Sequence, residues 1–206
     1  IRLSLVGSEM CIRDSSNGRA FYISGQYWPT QKRIQIALSD TGIGIRRSLK
    51  RNESLHINSA KDALQFALLP GISGSPNKLH KGNTEDSWRN SGFGLFLTSR
   101  FCRKSGGFTI VSDDSCLILD ENKTVHGVPF AGGTLIRLDL LERDLTDANG
   151  TLRRLISEGE EMQRQLAHLP LLTASRASKM LSTESLTDLR KQRPRLSFSQ
   201  DEDDDL

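Results

Sequence analysis

The sequence predicts an α+β fold, a two-layer α/β sandwich with helices on one face of a mixed sheet and a C-terminal helix and tail beyond it. Three observations carry this expectation. Period-two alternation of apolar residues marks strands towards both ends of residues 18–141, helical spacing marks two segments between them, and glycine-containing turns separate the two kinds of element.

Each element follows in order. Phe21, Ile23 and Tyr27 share one parity, with Tyr22, Ser24, Gln26 and Trp28 on the other, which reads as a strand. Pro29 and Thr30 turn the chain, and Ile34, Ile36 and Leu38 alternate with Arg33, Gln35 and Ala37 as its hairpin partner. Ser39 to Ile45 is a glycine-containing loop, followed by a polar, irregular stretch. A helix is expected over Ala60 to Leu69, closed by Pro70 and Gly71. Ile72 to Ser91, rich in Gly, Ser, Asn and Lys, reads as an exposed loop. A second helix is expected from Gly92 to Lys104, with Phe93, Phe96, Leu97 and Phe101 at helical spacing and Gly106 and Gly107 ending it. Phe108 to Ser112 and Cys116 to Leu119 read as two strands, the second turned by Asp120 to Asn122. After Gly132 and Gly133, Ile136, Leu138 and Leu140 form the final strand.

Beyond Leu141 the pattern changes. Leu145, Leu152, Leu155, Met162, Leu166 and Leu169 recur at roughly heptad spacing, giving a helical extension over residues 142–170. This helix could form a homodimer or pack back on the sheet; Gly150 and Gly159 weaken the first reading. Residues 171–206 are expected to be a disordered polar tail, closing with the acidic run Asp201 to Asp205.

Composition narrows the function classes. A chain of 206 residues, 36% hydrophobic and 26% charged, suits a globular domain with a core rather than a disordered protein. No run approaches the roughly 20 apolar residues of a membrane-spanning helix, and a net charge of +3 is too small to imply nucleic acid or a membrane surface as partner. Cys11, Cys102 and Cys116 show no paired metal spacing and no secreted-type framework, so a cytoplasmic location is expected. Residues 1–15, and GSEMCIRDS within them, resemble a translated transposon-end adapter from sequencing-library preparation. They are read as non-native, which places the native domain at residues 16–141 and sets Cys11 aside.

Three glycine sites could carry chemistry. Asp40-Thr41-Gly42-Ile43-Gly44-Ile45 directly follows a strand; its carboxylate can accept a hydrogen bond from an exocyclic amine such as adenine's, and its glycines let the backbone approach a ligand. Ser91-Gly92-Phe93-Gly94-Leu95 opens a helix, whose N-terminal amides can hold phosphate. Gly132-Gly133-Thr134 leads into the last strand, where the threonine hydroxyl could reach a base directly or through water. Taken alone, the first is equally readable as a tight turn, and the second and third read more readily as a plain helix start and a plain strand entry.

In this order the three sites resemble the GHKL superfamily of sensor histidine kinases, type II topoisomerases, heat-shock chaperones and mismatch-repair proteins. The DxGxG box matches Asp40, Gly42 and Gly44; the GxGL box matches Gly92, Gly94 and Leu95; the Gly-Thr pair matches Gly133 and Thr134. GQYWP, ALLPGISGS and SGFGLFLTS look closest to stand-alone bacterial ATP-binding proteins of the histidine-kinase type. The resemblance implies a Bergerat-type fold that binds ATP with Mg²⁺. Asp40 would take the adenine amine, Gly92 and Gly94, with Ser91 and Leu95 beside them, would cradle phosphates, and the segment between Ile45 and Ser91 would be a lid. It also implies phosphotransfer to a protein partner or ATP hydrolysis, with a nucleotide-gated switch that holds a regulatory partner as the alternative.

The departure concerns the family's first helix, whose Asn binds Mg²⁺ and whose Glu, in hydrolysing members, orients water. No Asn or Glu before Gly18 maps onto it, since Asn17 is too near the strand and Glu9 lies in the adapter-like residues. The fold is therefore expected to lack its first helix, to expose apolar sheet surface and to bind nucleotide weakly without turnover. His56, His80, His126 and His168 read as surface residues rather than phosphoacceptors, and Gly71 to Lys78 does not fit a P-loop. Arg46, Arg47, Lys50 and Arg51 read as a solvated face of the lid, and the basic stretch Arg190 to Arg195 lacks the interleaved aromatics of a nucleic-acid site.

Overall fold

The computed structural model describes residues 20–74 and 92–167. The adapter-like segment, residues 75–91 of the expected lid with Ser91 among them, and the tail lie outside these residues. The order is β1 (Phe21–Trp28), a 3₁₀ turn (Pro29–Gln31), β2 (Arg33–Asp40), α1 (Ile45–Leu49), α2 (Ala60–Ala67), α3 (Gly94–Ser105), β3 (Gly107–Leu119), β4 (Lys123–Leu141), a 3₁₀ turn (Glu142–Leu145) and α4 (Ala148–Ala167). The α+β class is as expected: one four-stranded sheet, ordered β1-β2-β4-β3, with α2 and α3 packed on it and α4 on α3.

The sheet is antiparallel throughout, not mixed. The helical crossover does deliver β3 parallel to β2, but β4 returns between them and runs antiparallel to both. Two further expectations change. The strands expected at 108–112 and 116–119 are one strand, because Asp113 still pairs with Ala131 and the register shifts from Ser112 to Ser115 are absorbed by extra β4 residues, Gly132 and Gly133 among them, instead of ending the ladder. Likewise β4 begins at Lys123, long before the glycine pair, and Pro129, which has no N–H to donate, falls where the β3 pairing lapses between Gly127 and Ala131.

The helices have local causes. Ser59 and Asp62 form a reciprocal capping box that starts α2, its side chains and backbone N–H groups 3.0 and 3.1 Å apart. The segment expected to be irregular contains α1, which begins after Gly44 and turns Leu49 into the core. In α4, Leu155, Gly159 and Met162 are buried and Leu152 and Leu166 half-buried. A Cβ at Gly159 would lie 2.7 and 2.8 Å from the Phe96 and Phe93 rings, so the heptad-like seam is spent against α3 rather than on the sheet. Leu169 lies outside the described residues. Among the described residues no helix is long and apolar enough to cross a membrane.

Register assigns the faces. Ile34, Ile36 and Leu38 of β2 oppose Leu140, Leu138 and Ile136 of β4, and Ile136 and Leu138 oppose Ile110 and Phe108 of β3. Over this face sit Leu64, Phe66 and Phe96, all fully buried, each contributing about 1.5–3 kcal/mol. Cover fails towards β1. Along the row Ile110, Ile136, Leu38, Ile23 the exposure runs 0%, 6%, 5% and 60%. Phe21 and Tyr27 share that face and are exposed too. The expected apolar sheet surface is therefore present among the described residues.

Candidate functional site

Asp40 ends β2 directly opposite Thr134 of β4. It is 3% exposed, and its Oδ1 accepts the Gly42 backbone N–H at 2.7 Å. Burial pushes the carboxyl above its ordinary range, while the backbone N–H groups of Gly42 and Thr134 pull it back only in part. A carboxylate kept in so dry a position by two donors is strong as an acceptor for a further one.

The first and third glycine sites touch. Gly133 has φ 87°, and a Cβ there would fall on the Asp40 carbonyl oxygen and lie 2.7 Å from its carbon. Only glycine lets β4 come this close to Asp40 and Thr41. Gly132, by contrast, faces open space. Ser112 of β3 holds the same junction. Its buried hydroxyl accepts the Ile45 N–H at 3.0 Å and donates to the Gly133 carbonyl at 2.9 Å, tying loop one to loop three. Gly44, at φ 76°, passes beside that hydroxyl. Sequence reasoning missed Ser112 because a single serine within a strand carries no periodic signal. It missed Asp113 too, a non-glycine residue at φ 55° whose Oδ2 is shielded and has no hydrogen-bond partner.

The second site sits at the start of α3. Gly92 adopts φ 70° with its backbone against Gly71 and Ile72, which pins the two ends of the loop together. The helix starts at Gly94 rather than Gly92, with Phe93 as its N-cap. The first bond of the helix runs from the Leu97 N–H to the Phe93 carbonyl at 2.9 Å, and the N-cap Phe93 side chain provides no cap. Among the described residues the N–H groups of Gly94, Leu95 and Phe96 have no intrahelical acceptor, as the first donors of any helix do not. Leu95 packs its side chain on the core instead of presenting it to a ligand. Among the described residues the hydrogen-bond partners of the Asp40 carboxyl are Gly42 and Thr134, not this helix start. The two are connected through Gly71–Gly74, whose Ser73 carbonyl accepts from Asn52 at 3.1 Å and whose Gly74 lies on Ser48 of α1.

Among the described residues no three His, Cys, Asp or Glu side chains converge as a metal site. Cys102 and Cys116 are free and buried; burial, with the charge of Asp139, pushes the Cys102 thiol up to about 12, which leaves it protonated and inert. His56 and His126 are exposed, and His80 and His168 lie outside the described residues.

Comparison with known proteins adds the following. No family model matches the chain, and no curated protein does. Among solved structures it is similar to the N-terminal domain of a DNA repair protein (16% identity over 81% of this chain and 44% of that one, TM-score 0.31). It is also similar to the ATPase region of Saccharomyces cerevisiae topoisomerase II (15% identity, 72% and 42%, TM-score 0.33). The same region bound to ICRF-187 (dexrazoxane) gives 14% identity, 72% and 42%, and a TM-score of 0.34. The chain spans less than half the length of each of these structures.

Proposed function

We propose that the chain binds ATP as a GHKL-type domain. The observation that carries this reading is the buried Asp40 carboxylate, fixed by the Gly42 and Thr134 N–H groups where the first and third glycine sites meet. Folding stability gives no reason to desolvate a carboxylate there, since burial disfavours its charged form. An acceptor so placed suits the exocyclic amine of adenine, with Thr134 beside it and the start of α3 available to phosphate. The order of the glycine boxes supports the same reading.

For the intact protein we propose that bound ATP serves phosphotransfer to a protein partner, or hydrolysis. The Mg²⁺ ligand and the carboxylate that those reactions need do not map onto the described residues. Mg²⁺, when bound with ATP, would neutralise phosphate charge; Asp40, Thr134 and the α3 amides would do the positioning.

Base selectivity tests the proposal. ITP carries a carbonyl where ATP carries the amine, and so presents an acceptor to an acceptor. Thermal-shift titration should show ITP binding at least about tenfold more weakly than ATP, the worth of one hydrogen bond to a charged group. Equal binding of the two nucleotides would remove Asp40 from base recognition.

A further inference from the structure

The basic turn after the first glycine site is not used by any of this. Arg47, Lys50 and Arg51 are exposed and follow the i, i+3, i+4 spacing that puts them on one face of α1 and its C-terminal end. None of their side chains has an acidic partner among the described residues. Arg33, Arg137, Arg143 and Arg164 do pair with carboxylates. Arg46 completes the cluster; its guanidinium donates to the Asn58 carbonyl at 2.7 Å, and its Nε is shielded without a partner. Like charges crowded on one turn repel, and no ion pair among the described residues offsets them there.

The same chain carries the complementary charge. Asp201, Glu202, Asp203, Asp204 and Asp205 form its densest acidic run. The place where the chain leaves the described structure also favours this pairing. Gln163, one turn before the end of α4, lies against Gly71, at 2.8–2.9 Å from the position a Cβ would take there. Three residues on, Gly74 lies on the Ser48 backbone, between Arg47 and Lys50. Three residues span at most about 11 Å, and residues 168–200 could reach on the order of 100 Å when extended. A covalent link of that length can bring the acidic run to α1 of the same chain, and pairing within one chain needs no second molecule.

We propose that the acidic run Asp201–Asp205 docks in cis on the Arg46–Arg51 basic ridge of α1, beside the Asp40 loop. The interaction does not depend on the nucleotide reading, and polyanions compete with it. The rival partner is the basic stretch Arg190, Lys191, Arg193 and Arg195 of the tail itself. Zero-length carbodiimide cross-linking of the full chain, with peptide mapping of the monomer, separates the two. The 201–205 peptide should couple to Lys50 in preference to Lys32, Lys61, Lys104, Lys123 and Lys191. The Arg47→Glu/Arg51→Glu variant keeps Lys50 and should lower that yield by about fivefold or more. Adding salt to about 0.5 M should lower it in the unaltered chain. Coupling confined to Lys191, spread evenly over the surface lysines, found only in covalent dimers, or unmoved by both the double substitution and salt would overturn the proposal.

Discussion

Gly133 and Gly132 are adjacent in sequence, yet alanine should have opposite consequences at the two. At Gly133 the backbone is at φ 87°, where an L side chain costs about 1–2 kcal/mol. The added methyl would also lie 2.7 Å from the Asp40 carbonyl carbon and 2.9 Å from the Thr41 Cα, both backbone atoms that move only if β2 and β4 part. Loosening one or two ladder hydrogen bonds adds about 0.5–1.5 kcal/mol each. Gly133→Ala should therefore destabilise the fold by roughly 1.5–5 kcal/mol, lowering the melting temperature by roughly 3–20 °C for a chain of this length. A methyl at Gly132 meets nothing within 4 Å and its φ is not positive, so Gly132→Ala should be neutral or stabilising by about 0.4–1 kcal/mol. Urea and thermal denaturation of the two variants side by side provide the assay. A Gly133→Ala protein within about 1 kcal/mol of wild type, or a Gly132→Ala protein equally damaged, would refute the claim that the first and third glycine sites are held in backbone contact.

Further expectations follow from the same contacts. Ser112→Ala leaves the half-buried Ile45 N–H and the buried Gly133 carbonyl without this partner, and should cost roughly 2–4 kcal/mol in denaturant melts; a change near zero would mean that water replaces the hydroxyl. Burial raises the Asp139 carboxyl, but the hydrogen bonds from Arg33 and Gln35 and the charges of Arg137 and Arg33 outweigh it and bring the carboxyl below its ordinary range. A depressed carboxylate contributes stability above its unfolded pKa and loses it as pH falls through the folded value. The stability difference between wild type and Asp139→Asn should accordingly hold at neutral pH and shrink only in the acid range; a gap independent of pH would count against it. Ile23→Lys, at a position 60% exposed on the uncovered sheet face, should lower self-association in light scattering with less than about 1 kcal/mol of stability lost. Gly159→Ala raises helix propensity by about 1 kcal/mol, yet should loosen α4 because its methyl meets the Phe96 and Phe93 rings; a more stable variant would contradict that packing.

How far the sequence could be read depended on the kind of signal. Alternation in β2 and helical spacing in α3 were legible because burial on one face writes itself into the residue order, while β1 alternates although neither of its faces is buried. The length of β3 and β4 was not. Asp113, Asp114, Pro129 and Gly132 look like turn residues, and only a tertiary pairing that tolerates a bulge turns them into strand. Antiparallel closure by β4 was hidden for a similar reason, since strand order is set by long-range packing and not by any one segment. At the site, the glycine boxes were visible as residues, and φ values of 76°, 70° and 87° at Gly44, Gly92 and Gly133 account for the glycine there. Ser112 was invisible because its role exists only once three segments converge.

The central claim is that Asp40 is buried to receive a nucleotide base. Its raised carboxyl means that burial costs stability at neutral pH, a cost absent below the unfolded pKa where the group is protonated in both states. Asp40→Asn should therefore leave the fold as stable as before or more so, while its amide, turned towards the ligand, opposes an amine. Calorimetric titration of ATP into wild type and Asp40→Asn, each shown to melt cooperatively, is the most direct test. The account predicts measurable binding to wild type and a loss of about 10- to 100-fold in the variant. Absence of ATP binding by the folded wild type, or equal binding by both proteins, would contradict it.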